Sequence, residues 1–421
     1  MKRKIFFTIG MLVFLFSGNA QQLTPEDYLK RVFGYNQDLK ISRENTRAAE
    51  AVTKSVKTNK LPWVSADATA QYQFDPAPFG AAALKKESWN ANLSVMQNVY
   101  SGSSVTNQLK ISKVSEGISV LAEDATGENI AYAAFLNYWN TSAMQELKSL
   151  SEEFLSLVSK LHGVVEIRFN DGYIGKTDLL MLETRKAEAE FQLSGSQNNL
   201  KLAQQQLNML MGVTPDSVFT LLPIDTELLL PGNTSLEEAL AMRPEYQIAG
   251  KNIEIAEYQT KLVKARYLPS VNVGLQETWG TSFINTDNST RFNTIAFANL
   301  NVPIFHWNSR KYDLMQSQVT EQVYTHEKSK VIDKVNLELN NALTNFEVTS
   351  NQLEIVRRSL KIATENLELN TLSYNEGRLP ILDVLSSQLS WLQAYTSLVT
   401  SNLSNKIAMA DYLKAAGMLN N

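Results

Sequence analysis

Cysteine is absent from the 421 residues of the chain. Disulfides, thiolate metal sites and an acylated N-terminal cysteine are therefore not expected, and stability must come from packing or assembly. Neither sign of charge is in large excess, because the formal net charge is −4. This near balance argues against nucleic acid as a partner. Beyond residue 20 nothing suggests a transmembrane helix, which needs about 20 apolar residues in a row.

Motifs that carry chemistry are equally scarce. The three histidines, His162, His306 and His326, are far apart in the sequence, which predicts no metal site. No glycine-rich phosphate loop and no nucleophile elbow occurs. The 11 methionines are scattered, as residues that fill a core are. The sequence therefore predicts neither an enzyme nor a cofactor.

Residues 1–20 predict a secretory signal peptide. A basic start is followed by an apolar run over residues 5–16 and by small and polar residues up to Ala20. This is the three-part plan of an export signal, with cleavage expected after Ala20. We therefore exclude residues 1–20 from the fold.

The remaining chain reads as two copies of one unit, because it matches itself at an offset of about 205 to 207 residues. The first repeat covers residues 21–212 and the second residues 235–421. A proline-rich linker over residues 213–234 separates them, and Ser235 with Glu238 predicts a capping box that opens the second copy. The matched landmarks are Leu61-Pro62-Trp63-Val64 with Leu268-Pro269-Ser270-Val271, Phe169-Asn170-Asp171-Gly172 with Tyr374-Asn375-Glu376-Gly377, Thr177-Asp178 with Leu382-Asp383, and Gly212 with Gly417.

Each repeat contains a strand pair, over residues 62–99 and 269–305. Apolar and polar residues alternate there with a period of two, as in Val64, Ala66 and Ala68 or in Val271, Val273 and Leu275. A soluble half-buried sheet alternates in the same way. Strands of about ten residues also fit an outer-membrane barrel, but four strands cannot close one, and lipid does not tolerate an open edge. If the strands lie in a membrane, two chains would give eight strands and three would give twelve.

Very long helices follow the strands. Residues 309–376 contain neither glycine nor proline, and as one helix they would be on the order of 100 Å long. This stretch carries two apolar stripes, which predicts neighbours on both sides, as in a ring of helices. The stripes are Leu353, Val356, Leu360, Ala363 and Leu367, and Ile355, Ile362 and Leu369; in the first copy Leu150, Phe154, Leu157, Leu161 and Val165 form a comparable seam, continued by Leu193, Leu200 and Leu207.

Both long helices are predicted to reverse at an Asn-Asp-Gly or Asn-Glu-Gly sequence. The two tips are expected near residues 168–178 and 373–383, and a further helix of about 35 residues follows each. Each repeat therefore ends in a helical hairpin.

At these turns the sequence resembles the TolC-like outer-membrane efflux protein family. Arg168-Phe169-Asn170-Asp171-Gly172 through Thr177-Asp178 is similar to one helical-turn signature of the family, and Tyr374-Asn375-Glu376-Gly377 through Leu382-Asp383-Val384-Leu385 is similar to its partner. The Leu-Pro-x-Val that opens a strand in each copy also fits, so the resemblance covers essentially the whole mature chain.

The resemblance implies an α+β membrane protein of the Gram-negative outer membrane that extends into the periplasm. Such a protein is a homotrimer, with a twelve-stranded β-barrel in outer-membrane lipid, four strands from each chain, continued by a helical barrel of coiled-coil hairpins. It serves as a passive exit duct in tripartite efflux or type I secretion, and it docks a periplasmic adaptor that connects to an inner-membrane transporter. The adaptor and transporter choose what is exported.

The resemblance also assigns candidate residues at the tips. Asp383 matches a pore-facing acid, Asp178 a linking acid and Tyr374 a linking tyrosine. The sequence departs from the family pattern at two positions, with Ser386 in place of a second acid and Leu379 in place of a linking arginine. The contacts of the closed state are therefore not assigned from the resemblance. Asp178 could equally be an ordinary helix N-cap. The expected adaptor-docking residues are Arg168, Asn170, Gly172, Asn375, Gly377 and Arg378.

A second function stays open from the sequence alone. In a soluble periplasmic scaffold or adaptor with long coiled coils, the alternating runs would form a small sheet outside any membrane. Such a protein would wash off outer membranes with salt or carbonate, whereas a duct would not.

Overall fold

A computed structural model of the chain describes residues 22–75, 86–227, 232, 234–281 and 290–419. The predicted signal peptide lies outside the described residues, as do parts of the linker and of both strand connections. The described residues form two compact units. The first combines residues up to Asn36 with Ile130–Gly232 and Asn341–Lys414, and the second combines Gln37–Asn129, Asn233–Asn340 and residues from Ala415 onward. Each unit thus takes segments from both predicted repeats.

The described elements follow the same order twice, with a two-residue strand, two helices, two longer strands and two long helices in each half. None of the described helices is long and apolar enough to cross a membrane. The elements are β1 Gln22–Leu23, α1 Pro25–Tyr35, α2 Gln37–Thr58, β2 Trp63–Tyr72, β3 Glu87–Tyr100, α3 Ser104–Asn170, α4 Lys176–Met211, β4 Thr220–Leu221, α5 Leu236–Met242, α6 Pro244–Ala265, β5 Ser270–Gly280, β6 Arg291–Asn301, α7 Ser309–Asn375 and α8 Ile381–Ala415.

The second unit contains one antiparallel sheet with the strand order β2-β3-β5-β6. All four strands lie where the alternating runs predicted them. Among the described residues β2 pairs only with β3, and β6 pairs only with β5. Both outer strands therefore present an unpaired edge of backbone N–H and C=O groups.

The register places most of the apolar residues of all four strands on one face of the sheet. Val64 lies opposite Val95, Val95 opposite Leu275, and Leu275 opposite Ala296. In an antiparallel pair, directly opposite side chains share a face. On the other face one row is polar throughout, and it consists of Asp67, Asn92, Thr278 and Asn293, whereas another row, which contains Trp63, Met96 and Phe297, is mostly apolar.

Four polar residues, Glu87, Gln97, Glu277 and Thr294, interrupt the apolar face, and the register sets the last two side by side. Glu277 lies directly opposite Thr294, and the Thr294 hydroxyl donates a hydrogen bond to the Glu277 carboxylate. The alternation is incomplete in both β5 and β6 because of this pair. A hydrogen-bonded pair costs less on an apolar face than a lone carboxylate would.

The long helices end at left-handed glycines. Gly172 has φ +79° and Gly377 has φ +76°. In each turn the glycine N–H donates to a carbonyl three residues back, and the next N–H donates to a carbonyl five residues back. This is the Schellman arrangement for a helix C-terminus. Gly212 and Gly417, the matched ends of the two repeats, are also left-handed.

One apolar core joins α3, α4, α7 and α8 in the first unit. Of the predicted first-copy seam, Leu157 is only partly buried, whereas its neighbour Val158 is fully buried. On α7 the first stripe faces the core and the second stripe does not: Ile355, Ile362 and Leu369 are 55%, 62% and 57% exposed. The core is formed mainly by Leu150, Phe154, Val158, Leu161, Val165, Leu182, Tyr374, Val384, Leu385 and Trp391.

The described part of the linker after α4 has little regular structure, and side chains hold it by hydrogen bonds. Its short strand β4 pairs in parallel with β1, which the sequence did not predict. The buried Tyr138 hydroxyl joins the two, because it donates to the carbonyl of Leu23 (2.6 Å) and accepts from the N–H of Leu222 (2.9 Å). At the start of the second repeat, Ser235 and Glu238 form the predicted capping box.

A buried lysine ties the end of the linker to α8. Lys406 is 6% exposed, its ammonium donates to the carbonyl of Thr226, and it lies 4.7 Å from the centre of the Trp139 ring. Burial lowers the pKa of Lys406 to about 8, although the nearby acids Asp225 and Glu227 oppose this shift. The charged form is therefore disfavoured in the folded chain.

This pKa gives a pH-dependent stability. A base whose folded pKa lies below its unfolded pKa destabilises the fold at low pH, and the cost disappears as pH rises from about 8 to about 10.5. We expect the wild type to gain up to about 3 kcal/mol relative to Lys406→Met over this range. The measurement is thermal unfolding in detergent at pH 7 and pH 10. Lys406→Arg, which stays charged, should show no such gain, and parallel behaviour of Lys406→Arg and wild type would contradict the assignment.

Candidate functional site at the hairpin turns

The two hairpin turns lie together in the first unit. Residues 171–175 join α3 to α4, and residues 376–380 join α7 to α8. The turns border a cleft of about 730 Å³. The predicted residues Arg168, Asp178, Tyr374, Asn375 and Gly377 line it. The chain thus brings candidate residues of both repeats to one place.

Asp178 and Asp383 occupy equivalent positions in the first turns of α4 and α8. The N–H of Asp178 donates to the carbonyl of Gly175, and the N–H of Asp383 donates to that of Pro380, both at 3.2 Å. Asp178 is not the N-cap, because that residue is Gly175. A carboxylate in the first turn still interacts favourably with the positive end of the helix dipole. Asp383 is exposed in the single chain, and Asp178 is half-buried.

Tyr374 is buried at the C-terminal end of α7, with 4% exposure. Its hydroxyl has no hydrogen-bond partner among the described residues. Asp178 lines the same cleft, but it does not accept a hydrogen bond from the Tyr374 hydroxyl. A buried hydroxyl without a partner is costly, so the ring and not the hydroxyl accounts for the stability of this position.

Arg168 makes a polar contact that joins the two hairpins at their turns. The guanidinium donates from Nη2 to the carbonyl of Asn375 (3.0 Å) and from Nη1 to that of Tyr374 (3.3 Å). The carbon Cζ lies 4.7 Å from the centre of the Tyr374 ring. Sequence reasoning placed Arg168 in the adaptor-docking set and missed this contact, for which the lack of a basic residue in the last turn of α7 was the available signal.

The other predicted docking residues lie at the surface of the turns. Asn170, Gly172, Asn375 and Gly377 are exposed, and the exposed Arg378 pairs with Glu376 at 3.1 Å. Their assignment to docking stays a prediction.

The two departures from the family pattern leave an apolar stretch beside the turns. Leu379 is half-buried and Ser386 is exposed. Ser386 lines a groove of about 500 Å³ between the starts of α4 and α8, together with Leu180, Leu382 and Leu389. Neither position supplies a charge at the tip.

A metal centre has little support in the described part of the chain. No group of three or more potential ligands that could hold a metal ion was found there. His162 does have one acidic neighbour. Glu166 lies one turn further along α3, with its carboxylate 3.9 Å from the imidazole. Two residues at this distance do not form a metal site.

The fold matches solved outer-membrane proteins over nearly its whole length. The outer membrane channel CmeC of Campylobacter jejuni is 15% identical, with a TM-score of 0.79 and coverage of 94% of this chain and 85% of that one. VceC of Vibrio cholerae is 14% identical, with a TM-score of 0.77 and coverage of 93% and 96%. The MtrE channel of Neisseria gonorrhoeae, solved in its open state, is 18% identical, with a TM-score of 0.77 and coverage of 93% and 88%.

At these identities the likeness establishes the fold alone. Comparison with curated proteins found no match. The model of the outer membrane efflux protein family, however, matches residues 235–417. Most of the second repeat therefore carries the sequence pattern of this family. The protein is therefore located in the outer membrane of a Gram-negative bacterium and extends into the periplasm. Members of this family are efflux channels, so the chain is not an enzyme.

The Tyr374 hydroxyl has no partner among the described residues, whereas the Tyr395 hydroxyl has one. Removing the two hydroxyls should therefore change the free energy of unfolding differently. We expect Tyr374→Phe to leave stability unchanged or to raise it by up to about 1 kcal/mol, because a desolvated hydroxyl is removed. Tyr374→Ala should cost about 3–5 kcal/mol, because it opens a cavity. Thermal unfolding in detergent measures both.

The matched control is Tyr395→Phe, which removes a hydroxyl that donates to Glu146 at 2.7 Å. It should cost about 1–3 kcal/mol, because the carboxylate loses its partner. An equal loss in Tyr374→Phe and Tyr395→Phe would mean that the Tyr374 hydroxyl has a partner outside the chain.

Proposed function

We propose that the protein is a homotrimeric, passive exit duct that docks a periplasmic adaptor and, through it, an inner-membrane transporter. Such an assembly serves tripartite efflux or type I secretion. The observation that carries the proposal is the sheet, which has four strands, one apolar face and two unpaired edges. Lipid offers no hydrogen bonds to an open edge. The sheet must therefore be completed by sheets of other copies.

Three copies complete the sheet in the proposed assembly. Strand β6 of one chain pairs with β2 of the next, which gives a closed barrel of twelve strands, an even number that outer-membrane barrels allow. The apolar face, with Val64, Val95 and Leu275, then contacts outer-membrane lipid. The polar face, with Asp67 and Asn92, lines the lumen.

The helices support the same assembly. Ile355, Ile362 and Leu369 repeat every seven residues on α7, and all three are more than half exposed in the single chain. A heptad stripe of this kind is buried when a neighbouring helix packs along it. In a trimer the neighbour is a helix of the adjacent chain, and the hairpins form a continuous helical barrel in the periplasm.

The duct itself supplies no energy in this proposal. Asp383 and Asp178 act on the passage of solutes through charge at the tip, because threefold symmetry brings like carboxylates close to one axis.

The exposed turns, with Asn170, Gly172, Asn375, Gly377 and Arg378, present the adaptor-docking surface. The substrate is selected by the transporter and the adaptor. The alternative of a soluble periplasmic scaffold is not retained, because the family consists of outer-membrane efflux proteins.

The assembly can be tested on protein purified from outer membranes in detergent. We expect native mass measurement to give three chains per particle, because three copies satisfy both open edges. The same protein should form ion-conducting pores in planar bilayers without any energy source. A stable monomer that washes off membranes with carbonate would contradict the proposal.

The gate can be tested with engineered cysteines, because the natural chain has none. We expect Asp383→Cys to cross-link between protomers under oxidation and to block conductance, because these positions approach the axis. Glu183→Cys, at an exposed acid of α4 outside the predicted gate, is the control and should not cross-link. No cross-linking at position 383 in a closed channel would remove this residue from the gate.

A further inference from the structure

The C-terminal end of α7 lacks a cation of its own. Its last turn contains no basic residue. The last carbonyls of a helix have no partner within the helix and carry partial negative charge, so a nearby cation stabilises them. At the matching end of α3 the last turn contains Arg168.

Arg168 serves the neighbouring helix. Its two donor nitrogens reach the carbonyls of Tyr374 and Asn375, which are the last two residues of α7. The planar guanidinium suits two acceptors at once, whereas an ammonium does not have this fork geometry. The ring of Tyr374 lies under the same group at 4.7 Å, which adds a cation–π contact.

The contact runs in one direction only. At the repeat offset of 205 residues, the counterpart of Arg168 is Ser373, which is short and uncharged. The second hairpin therefore has no equivalent cation to return to the end of α3. The two repeats are similar in backbone at the turns and differ in the side chain that joins one turn to the other.

We propose that Arg168 is a positioning residue that holds the end of the second hairpin's first helix, α7, against α3, and that loss of this contact releases the second hairpin. Beside this contact, the starts of α4 and α8 border a groove whose lining includes the exposed apolar residues Leu180, Leu382 and Leu389. The inference deepens the proposed function, because the released hairpin is one that borders the duct.

The position of the helix end is tested first, by a distance measurement that requires no channel activity. Spin labels on Ile167→Cys and Leu372→Cys, both exposed, report the separation of the ends of α3 and α7 in the full chain. Labelled protein is assembled with an excess of unlabelled protein, so that each particle carries one labelled chain. We expect Arg168→Ala to broaden or shift the distance distribution. An unchanged distribution overturns the inference.

The effect on the duct is tested by single-channel recording in planar bilayers. We expect Arg168→Ala to raise the open probability by about tenfold, because a charge-assisted hydrogen bond changes an equilibrium by about this factor. Arg168→Lys keeps the cation but not the fork, and it should lie between Arg168→Ala and wild type. Trimer mass should not change.

The matched control is Arg47→Ala, which removes the same charge from α2, far from the turns in sequence, and breaks a pair with Glu44 in the same helix, at 2.6 Å. It should leave both the distances and the recordings at wild-type values. Equal effects of Arg47→Ala and Arg168→Ala would overturn the inference, because net charge would then be the cause. A wild type without pores would count against the proposed function alone, since the distance measurement stands separately.

Discussion

Hydrogen bonding of the sheet edges constrains the rest of the structure. Among the described residues, β2 and β6 are each paired on one side only, and backbone groups that leave water without a partner cost several kcal/mol each. The apolar face makes water an unsuitable environment for the sheet, and the open edges make lipid unsuitable for a single chain. The proposed trimer meets both conditions, because neighbouring chains supply the missing strands.

The helices obey a similar constraint with side chains in place of backbone groups. One stripe of α7 faces the core of its own chain, whereas Ile355, Ile362 and Leu369 face outward. An exposed apolar stripe of this regularity indicates a partner surface. The single chain thus leaves both strand edges and a helix stripe uncovered. In the proposed trimer, duplication allows each chain to contribute two similar units to a ring.

Much of this fold could be predicted from the sequence because its signals are local. Period two predicted the strands, the absence of glycine and proline from residues 309–376 predicted α7, and Gly172 and Gly377 marked the turns. The pairing of Glu277 with Thr294 could not be predicted, because it depends on the register between strands. The strand β4 was missed for a similar reason, since two residues have no period and are held by distant partners such as Gln145, whose side-chain oxygen accepts from the N–H of Leu221.

The candidate site divides in the same way between local and long-range information. The positions of Asp178 and Asp383 follow from the turn sequences, which fix the first residues of the next helix. The role of Arg168 does not, because its acceptors are more than 200 residues away in the sequence. The resemblance directed attention to Leu379, where an arginine is missing. The structure shows that a cation does reach the second hairpin, but from the first, so the polar tie between the hairpins depends on one repeat having diverged from the other.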